Sequence, residues 1–283
     1  MFRREVLTTP SRTIQIPNEI MHIQLLILLD QRFSQAMIKF VKLPIYATAF
    51  NPSLARQLIR HTEVIINTYL TFLKTVKTIP ASNHYYKRSL LIQHTVNGFN
   101  TENQDILSAE TLERLHQNTK SYLNDFPKHA GQLISIHIRY TEDSQIYLLT
   151  GICYISSEHQ TAQSMIHILS LSSKDIDYEN YQLNYIKDMM DSYIKFPDQS
   201  ITQLCSKYNK SYRQFQKDSR AYFGTTFYNF YIQLKMMDVI DEIMFTEYSL
   251  KEIAYRNNFS DYSNMYRLFN SYNFPLRSIP RFL

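Results

Sequence analysis

The chain predicts an α+β amino-terminal domain over residues 1–175, followed by an all-α domain over 176–283 with two helix-turn-helix motifs joined by a long helix. Three observations lead there. A pattern of short apolar helix, tight turn and second helix occurs twice, beginning at Ser200 and at Ser249. Between the two copies, Thr225 to Phe245 reads as an amphipathic helix with Phe227, Phe230, Leu234, Met237, Ile240 and Met244 on its apolar side. Upstream, a clear amphipathic helix leads into three strand-like runs.

At 283 residues the chain is long for one domain, so two is the natural prior. A hydrophobic fraction of 44% is enough to build a core. Four glycines form neither a GxGxxG nor a GxxxxGK[ST], which removes the ordinary phosphate-cradling loops. The net charge of +5 fits a polyanionic partner, but where the charge sits matters more than its sum.

The amino-terminal half reads as follows. Ile20 to Leu29 is helical, and Met37 to Phe50 is β-rich and apolar. Asn51-Pro52-Ser53 opens another helix through Ala55, Leu58 and Ile59, and Val64 to Val76 is a buried helix. A strand is expected at Ser89 to Val96. Ser108 caps the helix of SAETLERLHQNTKSYLNDF, with Leu112, Leu115, Tyr122 and Leu123 inward. Gln132 to Tyr140, Gln145 to Ser156 and Ser164 to Leu171 are strands of a three-stranded antiparallel meander, the first two joined at Thr141-Glu142-Asp143-Ser144. A helix followed by such a meander is similar to the way PAS sensory domains end, and the Met37 to Leu58 region is similar to the way they begin.

Chemistry has little to hold on to here. The nine histidines form no His-x-x-x-His or His/Cys pairing, so no metal is expected. His137 and His167, on strands read as neighbours, are ordinary strand histidines. Glu142/Asp143 and Asp105/Glu110 sit in turns and caps, and no nucleophile elbow is present. Catalysis and a cofactor are therefore not expected. Cys153 and Cys205 read as reduced packing thiols. Nothing approaches the roughly 20 apolar residues of a membrane span, and the expectation is a soluble, cytoplasmic protein.

The polar stretch Ser172 to Tyr185 marks the boundary, and a helix from Leu183 to Lys195 follows. In the first motif Ser200/Gln203 and Ser211/Gln214 are two capping boxes. Ile201, Leu204 and Cys205 face inward, Tyr208-Asn209-Lys210 turns the chain, and Gly224 ends the second helix. From Lys207 to Arg220 five cations stand against Asp218 alone, a net of +4 on one helix and the turn before it. In the second motif Ser249/Glu252 is a capping box, Leu250, Ile253 and Ala254 point inward, and Asn257-Asn258 breaks the helix. Phe259 plugs the turn. Met265, Leu268 and Phe269 anchor the next helix, capped by Ser260 or Asp261.

On these residues the chain resembles the AraC/XylS family of bacterial transcription regulators. Ile253-Ala254, Phe259, Asp261, Ser263, Met265, Arg267, Phe269 and Arg281 match the family's second motif, and Ser211, Phe215, Lys217, Arg220, Gly224 and Phe227 its first. The departures are Asn258 for a turn Gly, Met265 for Phe, Asn270 for Lys, Phe274 for a later Gly with a shifted proline, and Ser219 for a core Phe. The resemblance implies double-stranded DNA as partner and recognition helices over 211–223 and 261–272. They would be set about one helical repeat apart by a rod of roughly 30 Å, against a DNA repeat of about 34 Å.

Arg213, Gln216 and Lys217 are expected at base edges with Tyr212 beside them, and Arg220 on phosphate. Tyr262, Ser263, Asn264 and Arg267 face the second groove, and Asn264 suits adenine. Arg256 and Arg281 are either backbone contacts or intradomain pairs. Two roles for the amino-terminal domain compete. It senses a small-molecule effector, or it is an interaction or dimerisation module through which a partner controls an activator that addresses RNA polymerase. A DNA-compacting protein is disfavoured because the charge is focused.

Overall fold

The computed structural model describes residues 21–43, 52–76, 85–102, 106–177, 183–196 and 198–283. In chain order these form β1 (Met21–His22), α1 (Ile23–Val41), α2 (Pro52–Thr75), β2 (Tyr85–Thr95), β3 (Gly98–Thr101), α3 (Ala109–Asn124), the single turn α4 (Phe126–His129), β4 (Leu133–Glu142), β5 (Gln145–Ile155), β6 (Thr161–Ser172) and β7 (Ile176–Asp177). The helical half follows as α5 (Asn184–Lys195), α6 (Ile201–Lys207), α7 (Tyr212–Phe223), α8 (Phe227–Phe245), α9 (Leu250–Arg256) and α10 (Tyr262–Ser271).

Leu26, Leu29, Phe33, Ala36, Met37 and Phe40 recur at helical spacing and are all buried, which makes Met37 to Val41 the end of α1 rather than the start of a strand. The rest of the expected β-rich run, Pro44 to Phe50, lies outside the described residues. The two helices expected after Asn51 are one, α2, entered through Pro52 at its first position, where a missing N–H costs nothing.

The larger sheet has five antiparallel strands in the order β3-β2-β6-β5-β4, where a three-stranded meander and a separate strand at Ser89 are expected. The expected strand at Ser89 is β2, which begins at Tyr85 and turns through Asn97 into β3. Asp143 (φ 48°) and Ser144 (φ 60°) form the two-residue left-handed turn that matches strand twist between β4 and β5. Because β5 lies between β4 and β6, His137 and His167 do not meet; both pair across to Thr150. His137 instead bonds Asp30 of α1 at 2.7 Å, and His167 bonds Thr62 of α2 and Ser89 at 2.8 Å each, so the two histidines pin both helices to one face of the sheet.

The opposite face is covered by α3, whose N-cap Ser108 accepts from the Thr111 amide. Leu112, Leu115 and Leu123 pack there against Leu90, Leu149, Ile155 and Ile166. His94 is buried in that layer, 2.9 Å from Ser164 Oγ and stacked on His116. Gly151 is required by close approach: a Cβ there would lie 1.9 Å from the Met165 carbonyl oxygen across the β5–β6 ladder.

One apolar core joins the two halves. Leu29, Phe33, Phe40, Tyr69 and Phe72 of α1 and α2 share it with Met236, Ile240, Ile243 and Met244 of α8, and with Ile253, Met265 and Phe269 of the second motif. The helix α8 is therefore not amphipathic in the expected sense. Met236, Val239, Ile243 and Phe245 are buried as well as the predicted face, since helices pack on it from both sides. Its Asp241, 4% exposed, accepts from Lys39 Nζ of α1 and from the Tyr69 hydroxyl of α2. One turn earlier Asp238 pairs with Arg32 at 2.6 Å.

Two measurements probe this layer. Gly151→Ala is expected to lower the free energy of unfolding in urea by about 1–3 kcal/mol, the usual cost of overpacking against backbone that cannot retreat. Burial, and then the neighbouring His116, hold the His94 imidazole down to about 4. The unfolded state then binds the extra proton first, so stability contributed by His94 is complete above about pH 6.5 and is lost as pH falls towards 4, roughly 3 kcal/mol in all. His94→Gln should flatten unfolding midpoints over that window.

Candidate nucleic-acid interface

Each motif is shaped by its own local chemistry. Ser200 and Gln203 form the reciprocal capping box of α6, and Ser249 and Glu252 that of α9. Asn209 (φ 53°) and Asn258 (φ 54°) take the left-handed position of the two turns, which a short polar side chain tolerates where glycine is the commoner choice. Each turn closes by the same bond, Lys210 N–H to the Cys205 carbonyl and Phe259 N–H to that of Ala254. Cys153 and Cys205 are both free thiols and buried.

Ser211 caps α7 by accepting from the Gln214 amide, but the Gln214 side chain does not return the bond as a capping box would. It donates instead to Asp218 at 2.6 Å. Asp218 is buried on the inward side of α7 and also accepts from the Tyr185 hydroxyl of α5 at 2.5 Å. Burial and then the Asp218 carboxylate push the Tyr185 phenol up, which keeps it the donor. The one acid in the basic segment thus faces away from the cations. Ser219 is fully buried, its hydroxyl returned to the Phe215 carbonyl. Tyr222 and Phe223 are buried on the same helix, and the Phe223 ring stacks on Phe230 at 4.0 Å between centroids.

With Phe215, Tyr222 and Phe223 buried, the outward face of α7 is Tyr212, Arg213, Gln216, Lys217 and Arg220. These five line one shallow open groove along the helix. Arg213, Lys217 and Arg220 make no hydrogen bond or ion pair among the described residues, and Gln216 Nε2 donates to the Tyr212 hydroxyl at 2.9 Å. Three cations held outward by their backbone and unneutralised by neighbours are suited to phosphate and to guanine edges.

The second head is differently prepared. On α10, Asp261 caps the Asn264 amide, and the Asn264 side chain donates to Asp261 and to Ser260. Arg267 donates to Asn264 and to the Ser263 carbonyl. Tyr262, Ser263 and Arg267 are exposed, whereas Asn264 is half-buried within this network. Arg256 pairs with Glu242 of α8 at 3.2 Å, and Arg281 donates both terminal nitrogens to the Tyr248 carbonyl. Both of those arginines are engaged within the helical half.

The helix α8 carries both heads. Phe227 and Phe230 pack on Phe215 and Phe223 of the first. Lys235 donates to the Asn258 carbonyl at 2.7 Å and covers the Phe259 ring, while Glu242 accepts from Asn257, which ties the second turn down. Nineteen residues of α-helix span about 28 Å. No cluster of three or more metal-ligating side chains occurs among the described residues, and none of the helices is long and apolar enough to cross a membrane.

Replacing Asp218 with Ala leaves the Tyr185 and Gln214 donors without their buried acceptor. A loss of about 1–3 kcal/mol is expected in urea unfolding, with Tyr185→Phe costing less because the Asp218 carboxylate keeps Gln214 as a donor.

A family model described as a helix-turn-helix domain, of the AraC type, matches residues 204–272, from within α6 of the first motif through the helix between the motifs to the end of α10. No curated protein and no solved structure matches the chain. The family match supports a DNA-binding transcription regulator.

Proposed function

We propose that the protein is a sequence-specific transcription regulator of the cytoplasm, with α7 and α10 entering successive major grooves on one face of the duplex. The observation that carries this reading is the α7 face, where Arg213, Lys217 and Arg220 stand outward with no ion-pair partner among the described residues, while Asp218 of the same helix is buried. Arg213, Gln216 and Lys217 read bases, Tyr212 packs beside them, and Arg220 grips phosphate. On α10, Tyr262, Ser263 and Arg267 address the second groove, with Asn264 presented by its cap network.

The division at about residue 176 separates a regulating half from the reading half. Support for a PAS-like sensory role comes from the strand order β3-β2-β6-β5-β4, with α3 crossing between the two hairpin-linked ends of the sheet. A partner-controlled or dimerising module is the second reading. The gap between the sheet and α1 and α2, lined by Phe33, Ile66, Leu148 and His167, is only about 10 Å³, so an effector does not fit at that place. In either case the regulating half acts through α8, and RNA polymerase is the machinery an activator of this kind addresses.

On a DNA fragment recovered from the genome with the full chain, Arg213→Ala or Lys217→Ala should weaken binding by about 1–3 kcal/mol, and less on random DNA. Equal loss on both would move the residue to the phosphate backbone. A chain shortened to residues 176–283 should lose regulated transcription from the same fragment. Full regulation by that fragment would remove the role given to the first half.

A further inference from the structure

Arg32, Asp238 and the end of the first recognition helix share one cavity. A cleft of about 400 Å³ opens between α1, α5 and the start of α8, within the size range of small-molecule sites. Its floor is apolar: Leu28 of α1, Met190 of α5, Phe223 as the last residue of α7, and Phe230 and Leu234 of α8. Ile194, 47% exposed, stands at the rim.

The charged groups around it are unequally held. The Arg32 side chain is only 13% exposed, while its partner Asp238 is 50% exposed. Lys187 and Asp191 lie 3.6 Å apart with both side chains more than half exposed, a pair of little energy in water. The guanidinium is thus fixed in the wall and needs an anion, whereas the carboxylate now supplying it can turn into solvent. Such a site suits an oxyanion in place of Asp238 on the Arg32 guanidinium, with an apolar body over the floor.

We propose that this cleft binds a small amphipathic anion, an apolar ring or chain bearing one carboxylate or sulfonate, held by Arg32 with Lys187 as second cation. The consequence for regulation rests on the DNA-binding reading above. Displacing Asp238 leaves the Lys39–Asp241 pair as the ion pair between α1 and α8 among the described residues, and the same ligand touches Phe223 at the end of α7.

The test uses the full chain and anilinonaphthalene sulfonate, an apolar aromatic with one fixed negative charge, followed by its fluorescence. One saturable site is expected. Arg32→Gln should weaken it about tenfold or more, as should replacing the probe by its uncharged parent phenylnaphthylamine; Leu234→Trp should fill the cleft and abolish binding. Ile194→Glu, a rim substitution that leaves the core intact, should also weaken binding and stands in should Leu234→Trp fail to fold. Arg213→Ala with Lys217→Ala should leave the titration unchanged, which separates this cleft from the cationic face of α7.

Equal binding of probe and uncharged parent, or indifference to both Arg32→Gln and Ile194→Glu, overturns the proposal. Loss of DNA binding by the unmodified chain, with the probe still bound in this pattern, would instead sink the regulator reading and leave the cleft standing.

Discussion

A single buried carboxylate governs how the halves of this protein are joined. Asp241 lies on the inward side of α8 with almost no exposure, and a charge so placed is tolerated only where its lone pairs are answered. Lys39 supplies a positive charge and Tyr69 a hydroxyl, from two different helices of the amino-terminal half. Burial pushes the Tyr69 phenol well above its ordinary value, so it remains protonated and keeps donating. These requirements fix the rotation of α8 about its own axis, because turning it would strand the charge.

Once that rotation is set, the other polar residues of α8 fall into place. Asp238 meets Arg32 on the same side, one turn away. Lys235 and Glu242 are presented to the second turn, where they hold Asn258 and Asn257. Phe227 and Phe230, before the buried stretch, receive Phe215 and Phe223. A helix that contacts α1 and α2 on one side and both heads on the others has no free apolar face, and its separation of the heads is stiffened by every one of these contacts. The same arrangement places the amino-terminal half directly against the helix that joins the two motifs.

The two heads differ in what they leave outward. The first hides its acid against Tyr185 and presents three cations. The second offers tyrosines and an arginine whose hydrogen bonds are already made locally. In the proposed reading, long-range attraction to phosphate belongs mainly to α7, while α10, its side chains already ordered by local hydrogen bonds, serves short-range contact.

Local chemistry by itself determined much of this protein. Ser108, Ser200, Ser211 and Ser249 name the starts of four helices, because an N-cap is a bond within four residues of chain, and Ser260 or Asp261 brackets the start of a fifth, where the structure places Asp261. Asn209 and Asn258 name both turns, and the outward face of α7 follows from the spacing of Phe215, Tyr222 and Phe223. Where the outcome depended on distant partners, the sequence was silent or misleading. Gln214 deserts its capping box because a buried acid one turn along offers a stronger acceptor; α8 buries Met236, Val239 and Ile243 beyond its predicted face because α1 and α2 pack against it; and His137 and His167 are parted by a strand whose position only the sheet order decides. A cap or a turn is settled by neighbours in the chain, whereas the environment of Asp241 or Arg32 is made by helices some two hundred residues apart, which no local pattern records.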